Sequence, residues 1–161
     1  MERQYCMIPA PYALRTTRGF TLVELILVVA IIAALSLIAY PSYLQYIDKA
    51  NIAKAKVDIT SIEQGLDRWY TVNQTYPDSL ADAGMDTLKD PWGNFYKYTK
   101  ITGHNVGMLR KDKWLHPLNS DYDLYSKGKD GQSQLPLTAG VSKDDIIRAN
   151  NGAFLDLASN Y

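Results

Sequence analysis

Residues 20–40, FTLVELILVVAIIAALSLIAY, fill 21 positions with one charged side chain, Glu24. An apolar run of about 20 residues is what a helix needs to cross the hydrocarbon core of a bilayer. The first expectation is therefore a membrane-spanning helix. The run is not built like a secretory signal. Such a signal has a shorter apolar region with a small-residue cleavage site behind it, whereas here the small residue, Gly19, stands in front. Glu24 is the second constraint. A carboxylate a few residues into a membrane helix costs about 3 kcal/mol on insertion scales and marks a functional position that requires a partner.

The stretch Arg18-Gly19-Phe20-Thr21-Leu22-Val23-Glu24-Leu25 resembles the class III signal of the type IV pilin and type II secretion pseudopilin superfamily. The resemblance implies that a prepilin peptidase cuts between Gly19 and Phe20, methylates the new amino terminus and leaves the apolar helix on the mature subunit. Glu24 then has a physical role. The ammonium group of a cleaved Phe20 lies one helical turn away, and across a subunit interface the carboxylate can meet a neighbour's amine. Opposite charges attract strongly in a low dielectric and either one alone is costly there. Pairing would give each subunit a fixed axial offset in a homopolymer held by its N-terminal helices. The plain alternative is an anchor with an incidental glutamate, which leaves the order GFTLVEL unexplained.

Ahead of the run, residues 1–19 carry Arg3, Arg15 and Arg18 against Glu2. Excess positive charge holds such a leader in the cytoplasm and sends the C-terminal portion outward. The expected layout is a removed leader (1–19), a transmembrane and filament-core half-helix (20–48) and a head domain (49–161). By resemblance the chain is a single-pass protein of the bacterial inner membrane with its head in the periplasm. Cys6 is the only cysteine and leaves with the leader, so no disulfide is expected in the head. Taking the leader's three arginines and one glutamate from 17 basic and 17 acidic residues leaves 14 and 16, a net charge of −2. No basic stripe supports binding to nucleic acid. A head of this size buries a modest core and is of the kind often stapled by a disulfide or a metal.

Beyond Pro41, which removes one helical hydrogen bond and is expected to kink the helix, Ile52, Ala55, Ile59, Ile62, Leu66 and Trp69 recur at spacings of three and four. Charged residues lie between them, which predicts one apolar stripe packed on a sheet. Gly65 is the weak point of the pattern. A single helix from Phe20 to about Val72 would be on the order of 80 Å long. Turn formers from Asn73 to Ser79 end it. In Asp90-Pro91-Trp92-Gly93-Asn94, Pro91 fixes φ and Gly93 permits a positive one. Residues 95–99 and 122–126 read as strands, and 106–118 is ambiguous. The fold class is α+β, with a small antiparallel sheet on the C-terminal half of the helix.

The second informative stretch is Asp121-Tyr-Asp-Leu-Tyr-Ser-Lys-Gly-Lys-Asp130-Gly131-Gln132, followed by Lys143-Asp144-Asp145-Ile146-Ile147. It is similar to the C-terminal loop of the major pseudopilin of type II secretion systems, and the resemblance implies a bound calcium ion. Calcium takes six to eight oxygens, mixing carboxylates with backbone carbonyls. Asp130 matches the family's carboxylate ligand and the Lys127 carbonyl matches its backbone ligand. Asp144 and Asp145 both remain open as the second carboxylate, because the intervening SQLPLTAGVSK is longer and poorer in glycine than the family loop. The plain alternative is a solvated acidic loop. No EF-hand is present, since Asp121-x-Asp123 lacks the required glycine and closing glutamate.

Nothing in the chain reads as catalytic. His104 and His116 are the only histidines, neither falls in a zinc-binding spacing, and there is no nucleophile elbow. The expectation is a structural subunit, not an enzyme, with a prepilin peptidase, minor pseudopilins and an inner-membrane assembly platform as partners. A major or minor pilin of a type IV pilus is the alternative. The tail RANNGAFLDLASNY is expected either to pack on the core or to form an interface.

Overall fold

A computed structural model of the chain describes residues 19–103 and 106–161. Residues 1–18 of the leader, with Cys6, and His104 lie outside the described residues. The chain divides into two compact units, one ending at Ser42 and the other running from Tyr43 to Tyr161.

The helix α1 (Leu22–Asn73) has 52 residues and continues through Pro41. Its start is fixed chemically. Thr21 Oγ1 accepts the Glu24 N–H at 3.2 Å, while Glu24 Oε2 accepts the Thr21 N–H at 2.9 Å and the Thr21 hydroxyl at 2.8 Å. That reciprocal arrangement is a capping box, which satisfies backbone donors that the first turn leaves open. The helix thus begins two residues later than the apolar run. In the first unit the side chains of this run are exposed, and the helix is long and apolar enough to cross a membrane. The helix ends where Gln74 turns to φ 56° and its N–H closes on the Tyr70 carbonyl at 2.8 Å.

In the second unit the expected stripe forms. Ala55, Ile59, Ile62 and Leu66 are fully buried, with Ile52 packed against the same cluster. At about 1.5–3 kcal/mol for each large buried side chain, the stripe contributes much of the head's stability. Gly65 has a use: a Cβ there would stand 2.5 Å from the Met85 sulfur, so its absence makes room for a side chain packed on the core.

The sheet is an antiparallel meander, β1 (Lys97–Lys100), β2 (Tyr122–Ser126), β3 (Ile146–Ala149) and β4 (Phe154–Leu157), in that spatial order. Alternation splits its residues between two clusters. Tyr122, Leu124, Ile146, Leu155 and Leu157 pack with the helix stripe, while Tyr125, Ile147, Ala149 and Phe154 join Leu118, Leu137 and Ala158 in the second. β2 has the expected bounds. β1 starts later than expected because Lys89 bridges Phe95 across the Asp90–Asn94 turn.

The ambiguous segment 106–118 gives no strand. It forms a 3₁₀ turn (Val106–Met108) and then isolated bridges from Lys111 to Pro117 and Pro136; the two prolines, lacking N–H groups, cannot extend a ladder. The tail packs on the core, supplying the end of β3 and all of β4. Asn150, Asn151 and Gly152 turn the chain between them with φ of 54°, 55° and 91°.

Candidate functional site

Two places carry the expected functional residues. At the first, Gly19 and Phe20 are exposed just ahead of α1, and Glu24 sits in the capping box. Within one chain the carboxylate of Glu24 is therefore not a bare charge, because its Oε2 already accepts two bonds from Thr21. Thr21 was not singled out from the sequence, although Thr-x-x-Glu ahead of an apolar run is the pattern of a capping box.

The second place is built on the end of β2. Ser126 is buried, donates its hydroxyl to Asp90 Oδ2 at 2.5 Å and accepts the Gly128 N–H at 3.1 Å. Asp90, itself buried, uses Oδ1 to hold the N–H groups of Trp92 (3.1 Å) and Asn94 (2.8 Å). The Asn94 side chain then donates to the Gly128 carbonyl at 3.4 Å. The Asp90–Asn94 turn is thus a platform under residues 126–128. Gly128 has φ +64°, and a Cβ on it would stand 2.2 Å from the Asp144 carbonyl oxygen and 2.7 Å from Asp144 Oδ2. Only glycine allows Asp144 so close.

Asp130 is brought to the same spot, its N–H donating to Asp144 Oδ2 at 3.0 Å. Its own Oδ1 accepts the Gln132 N–H at 2.7 Å. Lys127 is half-buried between β2 and this turn. Lys129 pairs with Asp48 of α1 at 2.9 Å, tying the loop to the helix.

Asp145 lies elsewhere. It is fully buried, with Oδ2 accepting from Arg110 Nη2 at 2.7 Å and from the Ser133 hydroxyl at 2.6 Å. Burial pushes its pKa up to about 6, although Ser133 and Arg110 both pull it down. The structure therefore groups Asp130 with Asp144 and turns Asp145 toward Arg110. Among the described residues no three His, Cys, Asp or Glu side chains converge as a metal site. What the structure shows at this loop is the Asp144 carboxylate on the Asp130 N–H and the Asp144 carbonyl against Gly128, where no Cβ intrudes. That is a donor set of the mixed kind calcium accepts.

Two arginines, Arg110 and Arg148, were not legible as important. Arg148, 4% exposed, donates to Glu63 of α1 at 2.8 Å and through both terminal nitrogens to Asp121 at 2.9 and 2.7 Å. Its guanidinium carbon stands 4.1 Å from the centroid of the Tyr122 ring. His116 is exposed, with Nδ1 3.5 Å from Asp112.

Comparison with known proteins bears on the first of these places and on the chain as a whole. The family described as "Prokaryotic N-terminal methylation motif" matches residues 14–40. Residues 41–106 match the family "Type IV minor pilin ComP, DNA uptake sequence receptor". The type II secretion system core protein G of Pseudomonas aeruginosa is 32% identical, over 73% of this chain and 87% of that protein. Its namesake in Vibrio cholerae is 33% identical, over 74% of this chain and 85% of that protein. A fimbrial protein of Neisseria meningitidis is 24% identical, over 89% and 85% respectively. With its N-terminal methylation motif, its long apolar helix and its four-stranded head, the chain belongs to the family of the type II secretion system core protein G, the major pseudopilin, within the type IV pilin superfamily.

Proposed function

We propose that the chain is the structural subunit of a periplasmic pseudopilus in a type II secretion system, anchored in the inner membrane before it polymerises. A prepilin peptidase cuts between Gly19 and Phe20, and the helix then supplies the filament core. The carboxylate of Glu24, held by Thr21 in the lone chain, turns to the N-terminal amine of a neighbouring subunit on assembly. Minor pseudopilins and an inner-membrane assembly platform are the partners of that step. The observation that carries this reading is the combination in one helix of a fully exposed apolar half and a head-bound half. An apolar surface of that extent needs lipid first and other subunits later.

In the head, calcium is bound by the carboxylates of Asp130 and Asp144 with the carbonyl of Lys127. The proximity of Asp144 to Asp130 and Gly128 favours Asp144 over Asp145. The ion would close a loop that carries no disulfide. A second reading, a pilin of a type IV pilus, is favoured by the fimbrial relatives and by the minor-pilin match over 41–106.

The experiment is mass spectrometry of the mature protein, followed by electron microscopy of filaments from cells that overproduce it. A mature terminus at methylated Phe20, lost in Gly19→Val, is the expected result. A terminus elsewhere refutes the processing step. Filaments that stay short and periplasmic separate the pseudopilus from a surface pilus.

A further inference from the structure

Arg110 is 2% exposed and holds several groups at once. Nη2 donates to Asp145 at 2.7 Å, and Nη1 donates to the Ser133 hydroxyl and to the Gln134 carbonyl, the latter at 2.9 Å. Its guanidinium carbon stands 4.4 Å from the centroid of the Tyr125 ring, and its backbone N–H is bound by buried Asp123 at 2.7 Å. Ser133 closes the triangle through its own bond to Asp145. Ser133 and Gln134 open the long insert between Asp130 and Asp144, and Asp145 stands just past its far end. One cation thus grips both ends of the segment that separates the two carboxylates.

We propose that Arg110 is a positioning residue for the calcium loop: it closes residues 133–145 in the absence of the ion and thereby sets the affinity with which Asp130 and Asp144 bind it. This rests on the calcium reading above. The physical reason is loop-closure entropy. Ser133 and Asp145 are 12 positions apart, and closing a flexible loop of that length by the ion alone would weaken binding by on the order of 40-fold. The Ser142 hydroxyl also holds Gln134, and Lys111 exchanges backbone bonds with Leu135 and Leu137. With those contacts intact, the loss expected on removing the clamp is about 10-fold.

The test is isothermal titration of calcium into the full chain in detergent micelles, well below its melting temperature. Wild type is compared with Arg110→Lys, Ser133→Ala and the double variant Arg110→Met/Asp145→Leu. Lysine keeps the charge and every carboxylate but loses the planar fork that reaches three groups. The double variant removes both charges together, so neither is left buried alone. The expected Kd rises about 10-fold in the double variant and by smaller factors in the single ones, with near-UV circular dichroism unchanged. A residue that only stabilised the fold would lower the melting temperature and leave Kd in place. Wild-type Kd in Arg110→Lys and Ser133→Ala overturns the proposal, also where the double variant does not fold. Absence of calcium binding in wild type overturns the calcium reading itself, and this inference with it.

Discussion

Arg148→Met is expected to be the most damaging single substitution in the head outside the apolar core. The guanidinium joins Glu63 of α1 to Asp121 ahead of β2 from a position on β3, and it does so 4% exposed. Methionine keeps most of the side-chain volume, so the loss is electrostatic and not a cavity. Removing one partner from a buried ion pair costs about 3–5 kcal/mol, because the other is left without compensation. The Glu63 and Asp121 side chains retain 23% and 18% exposure, which lets water recover part of this, and a loss of about 2–4 kcal/mol follows. In a domain of this size that lowers the melting temperature by about 10 °C. The assay is thermal unfolding of the full chain in detergent micelles, followed by near-UV circular dichroism. The triple variant Arg148→Met/Glu63→Gln/Asp121→Asn removes the orphaned charges and should recover at least half of the loss. A melting temperature within about 2 °C of wild type for Arg148→Met would refute the reasoning. So would a triple variant no better than the single one.

Glu24→Leu should insert into the membrane as well as wild type or better, since it removes a costly charge, yet yield few filaments; wild-type filament yield by electron microscopy counts against the assembly role. Thr21→Val should leave that role in place and lose only the cap, a cost of about 1 kcal/mol visible as fraying of the first turn in hydrogen exchange. Asp144→Ala should abolish the rise in melting temperature that calcium gives, worth about 2.7 kcal/mol at a hundredfold excess over Kd, and should cost only about 1 kcal/mol in chelator, for the bond it gives the Asp130 N–H. Asp145→Ala should instead lose stability in chelator and calcium alike, because it strands buried Arg110; an Asp145→Ala protein as stable as wild type in chelator contradicts this. Magnesium should substitute poorly, since it demands tighter octahedral geometry. Gly128→Ala should lower both stability and calcium affinity, because its Cβ would meet the Asp144 carbonyl; wild-type titration behaviour in that variant would show that the loop does not sit as described.

The parts of the fold legible in the sequence are those governed by short-range rules. A stripe at spacings of three and four predicted which face of α1 is buried, and the β-favouring side chains of Tyr122–Ser126 predicted β2 with the bounds it has. The β3–β4 hairpin was missed, though its turn, Asn150-Asn151-Gly152, lies between two short apolar runs and is of the kind that reverses strands. Each strand has only four residues, too few for periodicity to register. At the proposed metal loop, Asp130 could be named from its neighbours in sequence, but the choice between Asp144 and Asp145 could not. Adjacent side chains take opposite directions, and what separates these two is Arg110, 35 positions away. Nor does any local pattern announce Arg148, whose partner Glu63 lies 85 positions back.

The open sheet has a consequence for how such subunits can meet. Among the described residues, a meander ordered β1-β2-β3-β4 puts β1 and β4 at its borders, and border strands recruit other chains unless they are blunted. Here β1 is four residues with lysine at both ends, and β4 is four residues with Asp156 inside it, ion-paired to Lys56 of α1. Short length and built-in charge make both borders poor templates for adding a strand. In the proposed helix-driven polymer, growth would be channelled away from the β-edges, and the crowded heads would be kept from seeding amyloid-like stacks.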